Sequence, residues 1–128
     1  MADKIILADT SILIEYFRKS DKSNSTLVRL FNQDYDFCIS AITEFEIYTG
    51  ATAVQLDFWN DFLSGIKVLA FDQNAVKEAV RINTALKVKR KQIDLADLFI
   101  AATAVSNELQ LATLNRKHFE RIEELIII

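Results

Sequence analysis

The run Ile5-Ile6-Leu7-Ala8, closed by the polar triplet Asp9-Thr10-Ser11, constrains this chain more than any other stretch. Four apolar residues without polar alternation suit a strand covered on both faces, as parallel strands between helical layers are. Such a strand delivers Asp9 to the edge of a sheet. In open α/β sheets that edge borders the crevice where ligands bind, and a rigid scaffold holds the functional side chains there. Taken by itself, the triplet serves equally well as the N-cap of the apolar helix that begins at Ile12.

The same rhythm runs through the whole chain. A helix is expected over 12–18, a polar loop over 19–25, and a second helix over 25–32. A short strand follows over 36–40. The next helix, over 41–53, places Ala41, Ile42, Phe45, Tyr48 and Thr52 on one face. An aromatic-rich helix over 56–63 ends at Gly65, and a strand is expected over 66–71. Asp72 or Asn74 caps a long helix reaching about residue 89. Another helix over 94–107, a strand over 110–113, a helical turn over 117–121 and a last strand over 125–128 complete the order. Alternating strands and helices imply right-handed crossovers, hence an α/β class fold of three layers, α/β/α, around a central parallel sheet. No repeat, linker or low-complexity segment interrupts it, so residues 1–128 read as a single domain.

Composition narrows the function classes. At 51% hydrophobic and 26% charged over 128 residues, the chain is long enough to bury a core. No apolar run approaches the roughly 20 residues of a spanning helix, and the start lacks the apolar stretch of a signal peptide, so the expected location is the cytoplasm and no membrane partner is expected. The one cysteine, Cys38, lies in the apolar run Phe37-Cys38-Ile39 and reads as a small buried hydrophobe. The net charge of −3 argues against global attraction to nucleic acid, so such contact requires a local basic patch.

The candidate chemistry lies in carboxylates. Asp94 and Asp97 stand three apart at the opening of a helix and share a face. Asp97 heads a stripe continued by Ile100, Ala101 and Ala104, which places it at the edge of the core, whereas Asp94 suits the N-cap. Both also fit simple compensation of the helix dipole. In Thr43-Glu44-Phe45-Glu46-Ile47 the two glutamates differ by about 200° around the helix, so only one can face a site. Periodicity does not choose between them, although Glu46 shares its face with the small Thr43 and Gly50.

The motifs together resemble the PIN domain, and more narrowly the toxin ribonucleases of VapC-type toxin–antitoxin pairs. The resemblance rests on Leu7-Ala8-Asp9-Thr10-Ser11-Ile12-Leu13-Ile14, on 39–47 with Gly50, and on Asp97-Leu98-Phe99-Ile100-Ala101-Ala102-Thr103-Ala104 followed by Leu111-Ala112-Thr113-Leu114-Asn115 and Phe119. It spans nearly the whole chain. It implies a PIN fold and a metal-dependent endoribonuclease whose catalytic and metal-binding acids fall on Asp9, Glu46 and Asp97, choosing Glu46 over Glu44. Thr10, Ser11, Asp94, Thr113 and Asn115 are auxiliary candidates. Many relatives carry a fourth acid where this chain has Asn115, which keeps open a PIN-like domain that binds RNA or a partner without cutting.

Three converging carboxylates repel one another, by on the order of 4 kcal/mol per pair at about 4 Å in a protein-like dielectric. A hard divalent cation, Mg²⁺ or Mn²⁺, removes that repulsion and supports phosphodiester hydrolysis. The lone His118 reads as a surface residue. An acidic cleft needs nearby cations to attract RNA, and Lys87, Lys89, Arg90 and Lys91 precede Asp94 while Arg116 and Lys117 follow Asn115, with Arg121 beyond them. A basic run at a helix end is equally a solvated terminus favoured by the dipole. The resemblance further implies an RNA substrate, a cognate antitoxin, a homodimer, and DNA contact only through the antitoxin. Phe58, Trp59, Phe62 and Leu63 cover more than half of a helix circumference, and the expected surplus is an exposed aromatic patch at an interface, centred on Trp59. A phosphoacceptor receiver domain also has this length and an acidic pocket, but its acidic pair after the first strand is missing in Ala8-Asp9-Thr10.

Overall fold

The computed structural model describes residues 4–128. Strands Lys4–Ala8 (β1), Tyr35–Ser40 (β2), Val68–Leu69 (β3) and Gln110–Ala112 (β4) form a parallel sheet in the order β3-β2-β1-β4. The strand at the centre is the apolar run singled out above, with Ile6 opposite Phe37 of β2 and Leu7 opposite Leu111 of β4. Successive side chains of a strand point to opposite faces. Ile6 and Ala8 therefore join Ile39 and Ala112 in one core with Ile12, Ile47, Trp59 and Leu63, whereas Leu7 joins Cys38 and Leu111 in another with Ile82, Leu86, Ile100 and Phe119.

Helices Thr10–Arg18 (α1), Thr26–Asn32 (α2), Ala41–Gly50 (α3) and Leu56–Ser64 (α4) supply the first of these layers. Helices Gln73–Val88 (α5), Leu95–Ser106 (α6) and Arg116–Phe119 (α7) supply the second. The three-layer expectation is met, and Asp72 rather than Asn74 caps α5, accepting from Ala75 N at 3.0 Å. Among the described residues no helix is long and apolar enough to cross a membrane. Cys38 is buried and free, and burial pushes its thiol up to about 11, so it is an inert hydrophobe at neutral pH.

Five expectations give way to packing. The strand expected over 66–71 pairs only at Val68–Leu69, and the one over 125–128 reduces to a parallel bridge between Leu111 and Ile127. The helix expected over 41–53 stops at Gly50. Its buried face is also different: Phe45 is 66% exposed, while Thr43 and Ile47 are buried. Apolar residues lie all round α3, so composition marks no single stripe, and polar Thr43 can occupy the packed face because Ser40 and Thr10 satisfy its hydroxyl. The aromatic patch on α4 is not exposed. Trp59 is 2% and Leu63 5% exposed, and the half-buried Phe58 and Phe62 lie against Phe17 and Tyr16 of α1 with ring centroids 4.9 and 5.0 Å apart.

Candidate active site

Asp9 follows β1 and caps α1, so the two readings of this residue describe one geometry. Its Oδ1 accepts from Ser11 N at 3.0 Å, from Ile12 N at 3.4 Å and from the Ser11 hydroxyl, while Thr113 Oγ1 donates to Oδ2 at 2.6 Å. Asp9 N in turn donates to Ala112 O at 3.0 Å, tying the end of β1 to the end of β4. The carboxylate is only 3% exposed. Burial raises its pKa above the ordinary value, against the opposing pull of the hydroxyls of Ser11 and Thr113 and the two backbone amides.

Glu46 reaches the same region from α3. Thr10 Oγ1, in the first turn of α1, donates to Glu46 Oε1 at 2.6 Å and lies 3.1 Å from Thr43 Oγ1. The small Thr43 thus lets α1 and α3 approach closely, which is the feature that favoured Glu46 on sequence grounds. Asp97 comes from the first turn of α6, behind Asp94, which occupies the N-cap position without a capping hydrogen bond from its side chain. Burial raises the pKa of Asp97, His118 opposes that rise, and the negative charges of Asp94 and Asp9 add to it. The mutual repulsion expected of converging acids is therefore present between elements distant in sequence.

Asp9, Glu46, Asp94 and Asp97 line one open cleft of about 790 Å³, together with Thr10, Ser11 and Asn115. Asn115 N donates to Thr113 Oγ1 at 2.9 Å, and Leu114 N donates to Ser11 Oγ at 3.0 Å, so the segment after β4 is knitted onto the start of α1. All eight acids, hydroxyls and the amide named from sequence meet here, with Thr113 behind Asp9. Among the described residues no three His, Cys, Asp or Glu side chains stand close enough together to enclose a metal ion by themselves.

The basic candidates divide. Lys117 lines a groove that adjoins the cleft, whereas Arg116 is turned to Ile128 O at 3.0 Å. Lys87, Lys89, Arg90 and Lys91 line neither the cleft nor that groove. They close α5 instead. Arg90 adopts the left-handed conformation at φ 54°, Lys91 N donates back to Leu86 O at 2.9 Å, and Lys89 pairs with Glu123 at 2.7 Å. The cations that do line the cleft are Arg18 and Lys19, which sequence reasoning missed. A periodic signal was available: Ser11, Ile14, Glu15 and Arg18 recur at helical spacing from the capping Asp9, and that face of α1 forms a cleft wall. Glu15 on that face is engaged elsewhere, accepting from Thr26 N at 2.6 Å. His118 was also missed. It is half-exposed, as a surface residue should be, yet it stands in the cleft wall with Nδ1 3.0 Å from Asp97 Oδ2.

Known proteins share the sequence pattern and the fold of this chain. The chain is 35% identical over 120 residues to "Ribonuclease VapC1" of Methanocaldococcus jannaschii, covering 93% of this chain and 82% of that protein. It is 31% identical to "Ribonuclease VapC10" of Mycobacterium tuberculosis, covering 94% and 90%. Its structure resembles that of DNA-bound VapBC from Salmonella typhimurium, with a TM-score of 0.86, 27% identity, and coverage of 98% and 96%. VapBC2 of Rickettsia felis, bound to a DNA fragment from its promoter, gives 0.85 at 26% identity, with 97% of each chain covered. The family model for the PIN domain matches residues 6–125, and the chain belongs to the PIN domain family.

Proposed function

We propose that this chain is a divalent-metal-dependent endoribonuclease that hydrolyses RNA phosphodiester bonds as the toxin of a toxin–antitoxin pair. The observation that carries this reading is the meeting of Asp9, Glu46 and Asp97, from the end of β1, α3 and α6, in one open cleft with cations on its wall. The names of the VapC relatives support ribonuclease activity, and the VapBC complexes support an antitoxin as partner. On this reading the domain spans 1–128, acts in the cytoplasm as a homodimer, and meets DNA only through the antitoxin.

The donor set fits Mg²⁺ or Mn²⁺. All the acids offer hard oxygen, and Mg²⁺ keeps several waters and is held by one or two carboxylates plus substrate phosphate rather than by a closed protein cage, which suits a wide cleft. When bound, the ion supplies an activated water and neutralises charge growing on the phosphodiester. Asp9 would be the fixed point, since both its oxygens are oriented by neighbours. Thr10 holds Glu46, and His118 engages Oδ2 of Asp97, which lines the cleft. The half-buried setting keeps these charges in a low dielectric, where they attract a cation more strongly than in water.

Cleavage of RNA by the purified protein with Mg²⁺, with Mn²⁺ and with EDTA tests the reading. Glu46→Gln is expected to abolish cleavage with the fold intact, whereas Glu44→Gln, which alters no residue of the cleft, should leave it nearly unchanged. Equal loss in both variants would refute the assignment on α3. The cation alone should raise the melting temperature by several degrees, since binding at a hundredfold excess over Kd stabilises by about 2.7 kcal/mol. Calorimetry on the triple variant Asp9→Asn, Glu46→Gln, Asp97→Asn should show no such rise. A second reading, an RNA- or partner-binding domain without catalysis, draws on Asn115, whose neutral amide lines the cleft. RNA binding without cleavage under every cation would establish it.

A further inference from the structure

A second groove, of about 320 Å³, opens beside the cleft and shares Asp94, Asp97 and His118 with it. The residues belonging to the groove alone are Gln92, Ile93, Lys117 and Arg121. Beyond the shared wall, then, the groove carries two cations and no carboxylate. Among the described residues neither cation is in an ion pair, in contrast to Arg81, held by Glu78 and Glu124, and Lys89, held by Glu123. The contact of Arg121 Nη1 with Gln92 O is 3.5 Å long, too long to occupy the guanidinium fork. Two unpaired cations facing one small cavity, next to a row of carboxylates that have not claimed them, form a site for an anion that a strand crossing the cleft would carry.

We propose that this groove is a phosphate subsite, in which Lys117 and Arg121 hold the backbone phosphate one nucleotide away from the bond cut in the cleft. The proposal rests on the ribonuclease reading and adds to it the course of the single-stranded RNA. One flank is held by Arg18 and Lys19 at the end of α1, the acids lie beneath the scissile phosphate, and the strand leaves between the α5–α6 turn and α7. Lys117 supplies a mobile point charge and Arg121 a planar fork for two phosphate oxygens. At about 320 Å³, the lower end of the ~300–1,000 Å³ range of ligand sites, the groove has room for one nucleotide unit. Single strands satisfy this route because their backbone can bend from cleft to groove, whereas a duplex presents both strands as a rigid body.

The test is the double variant Lys117→Gln, Arg121→Gln, with fluorescein-labelled single-stranded RNA bound in EDTA across a salt series. Both side chains are exposed, so the melting temperature should not change. Removing both cations from the one phosphate they hold should flatten the slope of log affinity against log salt by about 0.7 and weaken binding several-fold near physiological salt. With Mn²⁺ present, KM should rise and kcat hold, and the defect should vanish on RNAs trimmed, from one end only, of the nucleotide that reaches the groove. An unchanged salt slope overturns the proposal, as does an equal fall of kcat on RNAs of every length. An acidic peptide losing affinity while the RNA slope stays unchanged would assign the groove to a protein partner and equally overturn it. If the wild type cuts no RNA but the slope still flattens in the variant, the groove stands and the nuclease reading falls.

Discussion

Asp9→Asn is expected to lower RNA cleavage by at least about a thousandfold, the several kcal/mol that metal-assisted charge stabilisation supplies, while raising the melting temperature of the cation-free protein. The two effects have one cause. Asp9 is buried, and desolvation raises its pKa above the ordinary 3.8 despite the hydrogen bonds from Ser11, Thr113 and Ile12. The folded state therefore binds the proton more tightly than the unfolded state. The stability this contributes is fully present below the ordinary value and is lost as pH rises through the raised folded value. Asp97, raised chiefly by burial, acts in the same sense. At neutral pH the cation-free protein thus carries two carboxylates that folding penalises, and its melting temperature should fall as pH climbs out of the acidic range. Asn removes the charge yet keeps the cap, since Asn and Asp are comparable at that position and its Oδ1 can still accept from Ser11 N and Ile12 N. Calorimetry across pH, alongside a cleavage assay, checks both halves. A variant that melts lower than wild type, with the same pH dependence, would mean that the carboxylate serves α1 alone.

How much of this site was legible in the sequence depended on the range of the forces involved. The apolar run of β1 and the capping triplet are local signals, and they placed Asp9 both at a sheet edge and at a helix start, where the structure has it. The stripe from Asp97 through Ile100, Ala101 and Ala104 is a helical period, and those three residues are buried as it requires. Glu46 needed more than periodicity, because α3 is apolar on several faces; its partner Thr10 lies 36 residues earlier, and no local pattern reports that contact. Lys87 to Lys91 are the contrasting case, lining neither the cleft nor the groove beside it. Four cations near an acidic motif suggest a nucleic-acid rim, but Arg90 sits in the left-handed conformation that ends α5, and the run serves the helix terminus. The cations that flank the acids come from the far end of α1 and from α7, separated by about a hundred residues of chain and joined only by the sheet.

Trp59→Ala is expected to destabilise the fold by about 3–5 kcal/mol, the range for deleting a large buried aromatic side chain, and to leave self-association and antitoxin binding of the folded protein intact. The indole is 2% exposed and sits among Phe58, Phe62 and Phe17, with centroids 5.1, 6.0 and 5.2 Å away. Sequence reasoning put it on an exposed patch because α4 carries more aromatic surface than one face of a lone helix can bury. It missed that α1 brings Tyr16 and Phe17 to cover the surplus, and rings 41 to 46 residues apart in sequence leave no local trace of their contact. Removal of the indole leaves a void that α1 and α4 cannot both collapse into, because α1 is pinned at its other end by the bonds between Asp9, Ser11 and Thr113. Against a total stability of about 5–15 kcal/mol the loss is a large fraction, on the order of 10–20 °C in melting temperature for a domain of this size. Phe58→Ala, at the half-buried edge of the cluster, should lose distinctly less. Thermal melts and sedimentation of Trp59→Ala well below its transition separate the alternatives: a shift of only a few degrees with weakened association would return Trp59 to an interface and contradict the packing of α4 on α1. Since Asp9 is the residue that caps α1, a loosened α1 should also reduce cleavage as temperature rises toward the lowered midpoint, well before the bulk of the protein unfolds.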